Sequence, residues 1–105
     1  MKLVLTNVPS DRAEAIARAL VEEGLVACAN LLPVRSVYRW KGAVCDEPEC
    51  TLLLKAPSHA IGPLRERLLA LHPYELPEFV VIDVDAAASL PAYVAWVDSA
   101  GTRPL

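Results

Sequence analysis

From Lys2 to Val8 the chain alternates through Val, Leu and Thr, which predicts a first strand, and Pro9 ends it. The period then changes. Ala13, Ile16, Ala17, Leu20 and Val21 recur at i, i+3, i+4, i+7 and i+8, the stripe of an amphipathic helix, and Arg12, Glu14, Arg18, Glu22 and Glu23 fill its other side. Ser10 or Asp11 is the expected N-cap, with Asp11 and Glu14 matching a capping box, and Gly24 is placed to close the helix. Leu25 to Leu32 is almost unbroken apolar sequence, too short for a second helix, and predicts a strand buried on both faces in which Asn30 needs a partner. Pro33 predicts a break. Val34 to Lys41 then reads as a strand with Ser36, Tyr38 and Trp40 on one face and Val37 and Arg39 on the other. Gly42 opens a turn, Cys45 to Glu49 reads as an acidic loop, and Thr51 to Ala56 as a strand.

Ile61, Leu64, Leu68 and Leu71 line a second helix whose start is irregular, because Gly62-Pro63 falls in its first turn. Phe79 to Val84 predicts a strand. Ser89-Leu90-Pro91 predicts an N-cap and early proline for a short helix carrying Tyr93, Trp96 and Val97, and Thr102 to Leu105 a tail. The order βαββαβ with an added helix gives an α+β fold, the ferredoxin-like sandwich, with right-handed crossovers and both main helices on one face of a four-stranded sheet. Its other face lacks helix cover.

Composition sharpens that point. The chain has 105 residues, enough for one domain spanning 1–105, and 54% of them are apolar. Mean hydropathy is +0.34. So apolar a small domain leaves such surface exposed, and an exposed apolar patch predicts association with further copies. Net charge is −3 with no run of Lys or Arg, which argues against nucleic acid as a partner. No stretch approaches the ~18 apolar residues of a membrane span, and the start is too short for a signal peptide, so a cytoplasmic protein is expected. Three unevenly spaced cysteines fit reduced thiols.

The densest chemistry lies in Leu71-His72-Pro73-Tyr74-Glu75-Leu76-Pro77-Glu78. Each proline fixes its own φ and drives the preceding residue out of the α region, so His72 and Leu76 should be extended and the helix should stop at or before His72. The product is a stiff elbow holding an imidazole, a phenol and two carboxylates. His72 suits either bonding to the last helix carbonyls or metal ligation. Glu75 and Glu78 suit either solvated turn positions or weak oxygen donors, and Cys28 either a small core residue or a thiolate donor. Cys45 and Cys50 lack the spacing of a zinc clip.

Read together, Thr6-Asn7-Val8-Pro9-Ser10, Leu25-Val26-Ala27-Cys28-Ala29-Asn30, Ser36-Val37-Tyr38-Arg39-Trp40-Lys41-Gly42, the elbow, and Tyr93-Val94-Ala95-Trp96 resemble the CutA family of divalent-cation tolerance proteins, from about Leu3 to Trp96. The resemblance implies a PII-like homotrimer, a role in tolerance of divalent metal ions, and copper as the usual candidate ligand. It also implies that Cys28 approaches His72, so that His72, Cys28 and Glu75 form the expected metal set. In a trimer the elbow of one copy is expected to face the Tyr38–Trp40 strand of the next. Tyr38, Trp40, Lys55, Tyr74, Glu47 and Trp96 would then line an inter-subunit cleft suited to a metal or a small anionic ligand, and the alternative expectation is a PII-like signalling module that binds a small metabolite there and acts on a partner protein. Cys45, Cys50 and the Ala-rich segment 85–90 depart from the family's pattern. An enzyme is not expected: His72 with Glu75 could form an acid–base pair, but no nucleophile, oxyanion hole or glycine-rich phosphate loop accompanies it, and no organic cofactor is implied.

Overall fold

A computed structural model describes residues 1–100; the tail expected from Thr102 to Leu105 lies outside them. The elements are β1 (Lys2–Val8), α1 (Ala13–Glu22), β2 (Cys28–Trp40), β3 (Ala43–Ala56), a 3-10 turn (Ser58–Ala60), α2 (Ile61–Leu71), β4 (Val80–Asp83) and α3 (Pro91–Ala100). They form an α+β, ferredoxin-like βαββαβ fold with an extra C-terminal helix. The sheet order is β2-β3-β1-β4 and every neighbouring pair is antiparallel. Alternation turns Val4, Val8, Leu52, Leu54 and Ala56 toward α1 and α2, where they meet Ile16, Leu20, Leu64 and Leu68 in one core.

The helix ends show which local signals decide structure. Gly24 takes φ 73°, and the pair of bonds Gly24 N–H to Val21 O and Leu25 N–H to Leu20 O, both 3.0 Å, closes α1 as a Schellman motif. The expected capping box does not form. The N-cap is Arg12 without a side-chain bond, because Ser10 and Asp11 lie in a turn closed by Arg12 N–H to Pro9 O. In α2, Pro63 sits in the first turn, where no intrahelical N–H bond is needed. That helix ends at Leu71, and His72 is extended at ψ 126° as the following proline requires. Ser89 does not cap α3; it bonds back to Asp85 O, and Leu90 O receives the N–H groups of Tyr93 and Val94.

The hairpin differs most from expectation. Pro33 breaks nothing, and Cys45 to Glu49 is strand: β2 runs 13 residues and β3 runs 14. The reason is position in the sheet. β2 is an outer strand, and β1 pairs only as far as Cys50, so Pro33 and Pro48 each sit where one flank of the strand has no neighbour. A two-residue turn, Lys41 at φ 48° and Gly42 at φ 81°, joins the strands in the twist-matched geometry of tight hairpins. Beyond Val8↔Cys50 the hairpin projects as a two-stranded arm, which stretches the chain to 45 × 29 × 22 Å.

Leu25 to Leu32 is likewise not buried on both faces. As part of an edge strand, Asn30 is exposed and Leu31 and Leu32 are 42% and 44% exposed. On β4, Val80 and Ile82 also lie open, on the face away from α1 and α2.

Candidate functional site

The arm and the elbow meet on that open face. Register places Val34, Ser36, Tyr38 and Trp40 on the same side as Glu47, Glu49 and Thr51. The elbow folds over this surface and is tied down at two points. His72, 7% exposed, donates from Nε2 to the Asn7 carbonyl at 2.9 Å and accepts the Tyr74 N–H at Nδ1, 3.3 Å away. These bonds select the neutral Nε2–H tautomer. Burial holds the imidazole below its ordinary pKa, against the opposing pull of the Asn7 bond and the Glu49 charge.

The second tie is Tyr74, whose hydroxyl donates to Glu49 Oε2 at 2.6 Å. Burial, then the Glu49 bond, pushes the phenol well above its usual range. Glu49 is itself only 6% exposed. Glu78 lies near enough to feel its charge, and burial followed by that repulsion raises the Glu78 carboxyl. Asn7 completes the floor, its Oδ1 accepting the Thr51 hydroxyl at 2.5 Å.

Between arm and elbow lies a cavity of about 580 Å³, walled by residues 36–40 and 74–76 with Asn7, Glu49 and Glu78 at its base. At the rim Lys41 bonds Glu75 at 3.1 Å and stands 5.5 Å from the Trp40 ring centroid, while the Tyr38 hydroxyl donates to Glu47. Sequence reasoning expected an elbow from one copy and an arm from the next. Here the two belong to one chain, because the unbroken hairpin is long enough to reach its own elbow.

The expected cleft set therefore divides. Tyr38, Trp40, Tyr74 and Glu47 gather here, but Lys55 and Trp96 do not. Lys55 Nζ lies 5.7 Å from the Tyr93 ring, which packs 5.6 Å from Trp96. Lys55 pairs with Leu3, four residues along β1 from Asn7, or about 13 Å of strand. Cys28 pairs with Lys55 and shares that far end. Within one chain Cys28 is thus remote from His72, and Glu75 turns to Lys41. Among the described residues no three or more His, Cys, Asp or Glu side chains form a metal-holding group. Cys45 and Cys50, five apart on β3, point to opposite faces.

Glu49 was not singled out by sequence reasoning. Its signal was the alternation Glu47, Glu49, Thr51, visible only once the acidic stretch is read as strand.

A model of the CutA1 divalent ion tolerance protein family matches residues 2–100. A divalent-cation tolerance protein CutA of Thermus thermophilus is 45% identical over 98 residues, 91% of this chain and 93% of that protein. The mouse Protein CutA is 38% identical over 86 residues, 81% of this chain but 48% of its own length. Among solved structures, the PII-like protein CutA from Nostoc sp. PCC 7120 in apo form superposes with a TM-score of 0.95 at 54% identity, covering 96% of this chain and 97% of that one. The periplasmic divalent cation tolerance protein CutA from Archaeoglobus fulgidus gives 0.89 at 28% identity, covering 95% and 99%. Among the described residues, no helix is long and apolar enough to cross a membrane.

Proposed function

The chain belongs to the CutA1 divalent ion tolerance family and has a PII-like fold, and on that premise we propose that it serves divalent-cation tolerance as a non-catalytic, cytoplasmic homotrimer whose elbow cleft takes a ligand. The observation that carries this reading is the cleft. Its volume falls in the range of small-molecule sites, and its aromatic walls and carboxylate base are held by internal bonds, so it stands preformed.

Two further features support it. His72, the natural acid–base candidate, spends both ring nitrogens on the backbone, and Glu75 pairs with Lys41 at the rim and has no bond to His72. The arm and the face bearing Leu32, Val80 and Ile82 are unfinished in one chain, since a lone two-stranded ribbon is marginal in water and apolar surface of this kind is buried by association. Copper held by His72, Cys28 and Glu75 requires donors from more than one copy, and a metal at His72 must first displace one of its two bonds.

The test is growth under copper or zinc challenge in host cells whose own gene is deleted. Wild-type protein restores growth, whereas Trp40→Ala, confirmed to be folded and assembled, does not. Equal rescue by both would overturn the role given to the cleft.

A further inference from the structure

We infer that the ligand of the elbow cleft is a small organic ammonium compound, its cationic head set against Glu49 and Glu78 and its body against Tyr38, Trp40 and Leu76. This rests on the cleft being the functional site and goes further by naming what enters it. The first ground is Glu49. Glu49 is 94% buried as a residue, and of its two carboxylate oxygens only Oε2 has a partner, the Tyr74 hydroxyl, while Oε1 is not sealed from solvent. Among the described residues no bond reaches Oε1, and Glu49 lines the cavity, so an open carboxylate oxygen faces the space where a ligand would lie.

The second ground is charge. Of the carboxylates lining the cavity Glu75 is paired with Lys41 at the rim, and alternation puts Arg39 on the opposite side of β2 from Tyr38 and Trp40, which leaves Glu49 and Glu78 without a basic partner among the described residues. Glu78 is already penalised by Glu49's charge, and a cation between them relieves what an anion would worsen. Lys55, a basic residue expected at the cleft, lies within this chain at the other end of the sheet.

The third ground is size and surface. A bare metal ion needs several oxygen or softer donors at short range, and within one chain no group of three is present among the described residues. A cavity of about 580 Å³ with Tyr38, Trp40, Tyr74 and Leu76 in its walls is built for carbon as well as charge. Indole and phenol faces attract ammonium groups, and Lys41 already occupies one such position over Trp40 at the rim, bonded to Glu75. A primary ammonium offers three donors, enough to bridge Glu49 Oε1 and Glu78 together.

Isothermal titration of the full-length protein at low salt tests this with 1,5-diaminopentane, spermidine and tyramine as probes. ATP, citrate and zinc(II) or copper(II) alone are the controls. The expected result is one amine bound per chain, weakened on the order of tenfold or more by Glu49→Gln, which removes one charge-assisted bond but keeps the acceptor for Tyr74. Glu78→Gln gives a second reading if Glu49→Gln folds poorly, and quenching of Trp40 in a Trp96→Phe background reports occupancy independently. No binding of any amine, binding unchanged by both variants, or an anion or bare metal competing for the same site would each overturn the proposal. Loss of cation tolerance in Trp40→Ala without amine binding would sink the ligand class alone and leave the cleft's role intact.

Discussion

The two faces of this sheet are finished to different degrees. On one, α1 and α2 seal Val4, Leu52 and Leu54 under Leu20, Leu64 and Leu68, all fully buried. On the other, β4 and the arm leave Leu32, Val80 and Ile82 between 38% and 47% exposed, and the elbow meets the arm across an open cavity. The first face is a stability device complete within one chain. The second is held by a few specific polar bonds, His72 to Asn7 and Tyr74 to Glu49, and its apolar side chains stay open within one chain. Lock and site are therefore separable, and substitutions on the two faces should fail in different ways.

The largest effect is expected on the sealed face. Leu64→Ala should cost about 2–5 kcal/mol, since a fully buried leucine leaves a cavity as well as losing transfer energy. Its counterpart, Val80→Glu, should leave the single-chain fold in place by circular dichroism yet abolish assembly, because it sets a carboxylate on the open face. If both lowered stability equally without changing mass, the distinction between the faces would fail. Next comes Tyr74→Phe. Leaving the buried Glu49 without its donor should cost about 1–3 kcal/mol in urea unfolding, and the elbow amides should exchange faster with deuterium.

The pH dependence is smaller and runs in opposed directions. His72 has a folded pKa below its ordinary 6.5. The unfolded chain therefore takes a proton that the folded one refuses, so His72's contribution is complete above about pH 6.5 and is lost as pH falls toward the folded pKa. Glu78 is raised above its ordinary 4.5, so its contribution is present below 4.5 and lost as pH rises through the folded value. His72→Gln, which can still donate to Asn7, should flatten the loss of stability between pH 7 and 5. Glu78→Gln should stabilise the protein at pH 7. Denaturant midpoints across that range measure both; an unchanged slope in His72→Gln would show that burial there is not shifting the imidazole. The smallest effect is expected at the arm's tip: Gly42→Ala meets no atom within 4 Å, but φ 81° strains any side chain, at about 1 kcal/mol.

The sealed face was legible from sequence because its signals are local. The 3.6-residue stripe from Ala13 to Val21 and the glycine at 24 placed α1, and two prolines placed the elbow and stopped α2 at Leu71. The arm was not legible for the same reason reversed. Whether Pro33 or Pro48 ends a strand depends on whether that strand has a neighbour on its proline side, and only the assembled sheet decides it. Reading the arm as a strand, a break and an acidic loop hid the alternation that buries Glu49. It also hid that Tyr38 and Trp40 reach the elbow of their own chain. Within one chain Tyr38, Trp40 and Tyr74 gather at one cavity while Lys55, Trp96 and Cys28 lie toward the other end of the sheet, a placement that hydrophobic pattern does not carry because it holds no register.

Sedimentation equilibrium of the wild-type protein at micromolar chain concentration bears most directly on the central claim, that the open face and arm are completed by other copies. The account predicts a single species of three times the 11.4 kDa chain mass, reverting to one chain in Val80→Glu. A stable, well-behaved wild-type particle of 11.4 kDa would contradict it.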